Sequence, residues 1–115
     1  MRMARARWAE DLVANLYRRE GCEIIARNWH CRQGELDIVA VLQSDMAKTL
    51  VVVEVRSRAN NYFGTPLESI TISKQKKLRL ATKQFMQIQK ISSVGVRFDV
   101  ASVLGTKIEI LRNAF

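Results

Sequence analysis

The chain has 115 residues, 48 % of them hydrophobic, and a net charge of +8. That length suits one domain with its own core and is short for two. The recurrence of apolar residues along the chain excludes a disordered polymer, and no apolar run approaches the roughly 20 residues of a membrane span. The positive excess, with a pI near 10.1, points to a polyanionic partner, nucleic acid before an acidic membrane surface.

Residues 3–19 read as a helix. Trp8, Ala9, Leu12, Val13 and Leu16 share one face, Arg2, Arg5, Arg18 and Arg19 fall mostly outside it, and Gly21 ends it. The basic start leads into this periodic segment and not into a signal peptide's apolar stretch. Residues 22–29, with Ile24 and Ile25, read as a strand, and 28–33 as a turn. Cys22 and Cys31 lack the spacing of a zinc site and are expected to be reduced thiols of a cytoplasmic protein.

Residues 36–42 and 49–57 are short apolar strands. The polar stretch 43–48 between them makes an antiparallel hairpin the expected pairing. Residues 58–71 are irregular, with Asn60-Asn61, Gly64 and Pro66 as breakers. A helix over 74–90, capped by Ser73, would bury Leu78, Ala81, Phe85 and Ile88. Lys74, Lys76, Lys77, Arg79 and Lys83 crowd its first half, where the helix dipole disfavours cations. That local conflict suggests that the charges serve phosphates. Val96, Phe98 and Val100 alternate with Arg97, Asp99 and Ala101 as in a strand. Gly105-Thr106 makes a two-residue turn, and Ile108 and Ile110 continue the return strand. The order of helix, strands, helix, strands implies a single α/β domain over 1–115, a mixed central sheet flanked by helices.

If Leu42 pairs with Thr49, Asp37 falls opposite Glu54 and Leu36 opposite Val55. Opposed side chains stand about 4.5–5.5 Å apart, and like charges there repel. Two acids in otherwise apolar strands require a metal cation between them, an arginine or lysine, or a raised pKa. Arg56 lies two positions from Glu54, on the same face, and offers a purely structural ion pair. Glu35 alternates onto the Asp37 face, as a further ligand or a turn residue. His30 reads as a surface residue and Arg97 with Asp99 as a strand pair. Trp29 and Phe63 read as core, although aromatic rings can also stack on bases.

Gly34-Glu35-Leu36-Asp37, Val53-Glu54-Val55-Arg56-Ser57-Arg58 and Phe63-Gly64-Thr65-Pro66 together resemble the YraN family of bacterial proteins. Asn28-Trp29, the lysine-rich helix, Arg97-Phe98-Asp99-Val100 and Asn113-Ala114-Phe115 extend the resemblance over almost the whole chain. That family is similar to the PD-(D/E)xK nucleases, near the archaeal Holliday-junction resolvases. The resemblance implies a restriction-endonuclease-like fold and a Mg2+ or Mn2+ ion held by Asp37, Glu54 and the backbone carbonyl of Val55. Glu10 on the first helix, at the edge of its apolar face, would complete the catalytic set of Asp37, Glu54, Arg56 and Glu10. The superfamily usually carries lysine where this chain has Arg56. An arginine cannot act as a base, yet it can grip a phosphate. Arg58, Lys74, Lys76, Lys77 and Arg79 would touch the nucleic-acid backbone.

The implied activity is metal-dependent phosphodiester hydrolysis by an endonuclease acting on structured or branched DNA. A hard cation on carboxylates activates water and offsets phosphate charge. The alternative is a catalytically inactive module, binding nucleic acid or forming a homodimer through the valine-rich hairpin, with the acids a relic.

Overall fold

The run Leu50-Val51-Val52-Val53 has no polar alternation, the pattern of a strand covered on both faces. In the computed structural model it lies at the centre of the sheet. The structure describes residues 2–58 and 70–115, with side chains at 7–57 and 70–115. The elements are α1 (Arg2–Arg19), β1 (Glu23–Cys31), β2 (Gly34–Gln43), β3 (Lys48–Arg58), α2 (Ile72–Gln89), β4 (Gly95–Leu104) and β5 (Lys107–Leu111). Spatial order equals chain order, β1-β2-β3-β4-β5. Only the β3–β4 pair is parallel, and α2 lies in the connection that parallel pairing demands. This is the mixed α/β architecture expected, consistent with a restriction-endonuclease-like fold. Neither helix is long and apolar enough to cross a membrane.

The two helices cover opposite faces. Ala9, Val13, Ala14 and Tyr17 of α1 pack with Ile38, Ala40, Val51, Val53, Ala101 and Val103. Leu78, Ala81 and Phe85 of α2 pack with Val39, Leu50, Val52, Phe98 and Val100. Alternation along β3 therefore sends Val51 and Val53 to α1, and Leu50 and Val52 to α2. Both faces of β4 are buried too, Asp99 and Ala101 included, so its polar alternation does not mark a solvent face.

Several local expectations change. The α1 stripe centres on Ala9, Val13 and Tyr17, at four-residue steps, and leaves Trp8 44 % exposed. The expected turn at 28–33 is mostly strand, since β1 continues to Cys31 and only Arg32 and Gln33 turn. Thr71, not Ser73, caps α2: its extended backbone brings Oγ1 within 3.1 Å of the Lys74 N–H, which donates to it. At the other end Lys90 adopts a left-handed conformation and the Ile91 N–H donates to the Met86 carbonyl. Met86 and Ile91 fill the core margin there, and Ile88 is 56 % exposed. The expected irregular segment with Asn60-Asn61, Phe63, Gly64 and Pro66 lies outside the described residues.

One buried carboxylate ties the layers together. Asp99 accepts from Tyr17 Oη at 2.6 Å, from Arg97 Nε and Nη2 at 3.0 and 2.9 Å, and from the Asn113 N–H at 2.9 Å. This joins α1, β4 and the chain beyond β5, and makes the Arg97–Asp99 pair structural. Burial and the neighbouring Asp99 charge push the Tyr17 hydroxyl up from its ordinary value, so Tyr17 remains a donor. Asp99→Ala would strand a half-buried guanidinium and a buried hydroxyl, at a cost of about 3 kcal/mol. Urea unfolding should show a lower midpoint at unchanged slope.

Candidate active site

The β2–β3 hairpin pairs as the spacing predicts, from Leu42↔Thr49 to Ile38↔Val53. There the ladder stops. Asp37↔Glu54 and Leu36↔Val55 are not ladder partners, because the Val55 N–H donates to Asp37 Oδ2 at 2.8 Å. A side chain has replaced the backbone acceptor. A strand residue's N–H and C=O point to the same neighbour, so the Val55 carbonyl is directed towards β2 as well.

The interruption extends into β1. Arg27↔Ile38 and Trp29↔Leu36 are paired, while Asn28 and Asp37 between them are not. Asn28 has φ 51, the left-handed region that asparagine tolerates better than most residues. Both strands reverse their facing together. Ile38 packs under α1 and Leu36 under α2. On β1, Arg27 reaches Glu10 and Asp11 of α1, whereas Trp29 packs edge-on to Phe85 of α2, centroids 5.3 Å apart. Asp37 is the residue at the reversal.

Glu54 stays on the α2 face and is 5 % exposed. Its Oε2 lies 3.2 Å from Arg56 Nη2 and 3.4 Å from Lys74 Nζ. Its Oε1 is buried without a donor among the described residues, and the Arg56 Nε–H is buried there without an acceptor. The Glu54 carboxylate neighbours Asp37 closely enough for its charge to act there. Burial first, then the Glu54 charge, push Asp37 up to about 8, against the pull of the Val55 N–H.

Glu10 is buried at the margin of this group. It accepts from Asn28 Nδ2 at 2.9 Å and lies 3.7 Å from Arg27 Nη2. Burial raises its pKa, partly offset by those two partners. Its charge reaches Asp37, yet its bonds hold it towards β1. Asn28 and Arg27 thus join the candidate site through Glu10, and sequence reasoning missed both. The one available signal was the position of Asn28 beside Trp29 in the family pattern.

Of the remaining cations, Lys76, Lys77 and Arg79 are exposed. A Cβ built on Gly34 would stand 3.9 Å from Lys77 Cβ, so Lys77 overlies the β1–β2 turn. Arg79 lies apart from the acids, its guanidinium over the rings of Phe98 and Phe115 at 5.1 and 5.5 Å. The Arg58 side chain is outside the described residues. His30 and Glu35 form an exposed cross-strand pair at 3.2 Å, and Cys22 and Cys31 are free.

Among the described residues, no three His, Cys, Asp or Glu side chains are grouped to hold a metal. Two carboxylates and a backbone carbonyl nevertheless suit a hard cation. Magnesium takes one or two carboxylates and keeps several waters, and the donorless Glu54 Oε1 is the expected kind of ligand atom.

The model of Uncharacterised protein family UPF0102 matches residues 9–103. A UPF0102 protein of Legionella pneumophila is 40 % identical over 118 aligned positions, covering 100 % of this chain and 97 % of the relative. One from Nocardia farcinica is 42 % identical over 97 positions, covering 84 % and 73 %. One from Clostridium perfringens is 38 % identical over 96 positions, covering 84 % and 75 %.

The raised Asp37 pKa has a testable sign. Between the ordinary value of 3.8 and about 8, the folded state holds a proton that the unfolded chain releases. The stability this confers is complete below the unfolded value and is lost as pH rises towards 8. Asp37→Asn keeps an acceptor for the Val55 N–H and removes the charge. Its melting temperature at neutral pH should exceed that of the parent by at least roughly 4 °C, the shift that about 1 kcal/mol produces in a domain of this size. The advantage should shrink in melts at about pH 4.5, where protonation already relieves the parent.

Proposed function

The chain belongs to Uncharacterised protein family UPF0102, the YraN branch of the PD-(D/E)xK superfamily, and on that premise we propose that it is a metal-dependent nuclease acting on structured or branched DNA. The observation that carries this reading is the meeting of Asp37 and Glu54 at the break between β2 and β3, with Glu54 Oε1 left without a donor. A protein selected for stability alone would not bring a half-buried acid beside a buried one and leave a buried carboxylate oxygen without a donor.

Asp37, Glu54 and the Val55 carbonyl would hold the Mg2+ or Mn2+. Bound there, the ion would lower the pKa of a coordinated water and offset charge on the phosphate. Asp37 takes its orientation from the Val55 N–H. Arg56 bridges site and solvent at 36 % side-chain exposure and would grip the scissile phosphate in a two-pronged contact. Lys76 and Lys77 would hold the flanking backbone, and the net charge of +8 would speed encounter.

Incubation with Mg2+ or Mn2+ and a panel of duplex, flap and four-way-junction substrates tests this directly. The parent should cleave at least one substrate, and Glu54→Gln should slow it on the order of 10²-fold. Cleavage that survives the substitution, or none on any substrate, overturns the reading.

A specific observation favours a second reading, a binding module without catalysis. Arg56 stands in the usual lysine position and is already paired with Glu54. In either reading, affinity for duplex DNA should fall with salt at a slope of about −0.9 per phosphate neutralised. A Lys76→Glu, Lys77→Glu variant should bind all sequences more weakly and with a shallower slope, measured by fluorescence anisotropy across a salt series.

A further inference from the structure

The four cations in the first half of α2, Lys74, Lys76, Lys77 and Arg79, are not equivalent. Lys74 alone among them has its ammonium on a catalytic-set carboxylate among the described residues, 3.4 Å from Glu54 Oε2, with a side chain only 33 % exposed. The helix start fixes this placement. Thr71 Oγ1 accepts from the Lys74 N–H, which seats the residue in the first turn of α2, facing the end of the sheet where Glu54 stands.

The charge count around Glu54 is lopsided. Arg56 and Lys74 both approach Oε2, and the buried Oε1 has no donor among the described residues. Two cations crowd one oxygen of Glu54 while the other has no donor among the described residues, and helix starts disfavour lysine. A lysine is also a compact charge on a flexible stem with three donors, able to change partners over several ångströms, whereas the planar fork of Arg56 is committed to a fixed geometry.

Resting on the nuclease-like reading of this site, we propose that Lys74 is its second phosphate-binding group, supplied by α2 and exchanging its ammonium between Glu54 and a nucleic-acid phosphate. Carboxylate and phosphate then compete for one lysine. Divalent-cation binding at Asp37 and Glu54 frees Lys74 for the phosphate, so cation and nucleic acid strengthen each other's binding. The coupling is reciprocal by thermodynamic necessity. Lys76 and Lys77, which have no carboxylate partner among the described residues, contribute to affinity without contributing to the coupling.

Binding of a fluorescently labelled four-way junction, with and without Ca2+, tests this. Calcium seeks the same oxygen ligands as magnesium and serves to read binding rather than turnover. The parent should bind more tightly with Ca2+, by roughly five- to a hundredfold. Lys74→Met keeps the apolar stem and should reduce that gain to below about twofold. Lys74→Arg should restore part of it, and Lys76→Met should weaken binding by the same factor with and without Ca2+. Lys74→Gln, read beside Lys74→Met and checked by thermal melting, guards against a variant that misfolds. A full Ca2+ gain in a folded Lys74→Met or Lys74→Gln protein overturns the proposal. So does the absence of any gain in the parent, or a loss of folding in both variants, which would make Lys74 structural. A parent that shows the Lys74-dependent gain but cleaves nothing leaves the proposal standing and removes the nuclease reading alone.

Discussion

The hydrogen bond from the Val55 N–H to Asp37 is the constraint on which the rest of the site depends. It substitutes a side chain for a main-chain acceptor at one rung and thereby ends the β2–β3 ladder after Ile38↔Val53. Without that exchange Asp37 would be an ordinary rung facing Glu54. With it, Asp37 is tied to the backbone of the strand that carries Glu54. The left-handed Asn28 performs the matching reversal on β1 and keeps Trp29 and Leu36 together under α2. The amide of the same asparagine holds Glu10. A local backbone irregularity thus serves several of the acidic side chains at once.

Two carboxylate environments in the same sheet show what the site costs. Asp99 is as deeply buried as any polar side chain among the described residues and receives four hydrogen bonds. It fastens three parts of the chain together and has no capacity left for a ligand. Asp37 and Glu54 have three partners between them, the Val55 N–H, Arg56 and Lys74, and keep a buried oxygen without a donor among the described residues. The first is a buried acid used to hold a fold together; the second is the arrangement that the proposed function would need. Burial of valine-rich strands on both faces supplies the apolar stabilisation that tolerates the second.

Much of this was legible in the residues. A polar stretch between two apolar runs set the hairpin register, and that register alone made Asp37 and Glu54 neighbours. The lysines crowding one helix start conflicted with the dipole, and one of them proved to be paired with Glu54. Other features were not legible, for physical reasons. Periodicity assumes an unbroken strand, and nothing in the string Arg27-Asn28-Trp29 announces a left-handed residue inside one. The turn was therefore placed too early. Trp8 and Ile88 looked like core because they are large and apolar, but helix stripes centre on whatever lets backbones approach, here Ala9 and Ala14 on α1. The partner of Glu10 came from another element, and local pattern carries no information about such contacts.

The agreement of strand order with chain order has a consequence for how the molecule forms. β1, β2 and β3 are joined by short turns, so their pairing closes small loops and is fast. β4 can join β3 only after the long connection containing α2 has been ordered, a closure that costs more entropy. On that order the three-stranded meander assembles first and brings Asp37 beside Glu54 before α2 docks. Lys74 and the valine-covering face of α2 arrive together. The repulsion between the two acids would then be met late in folding by the same docking event that completes the core. Substitutions at the acids should therefore change the folding rate, whereas substitutions in the α2 contact should act mainly on unfolding.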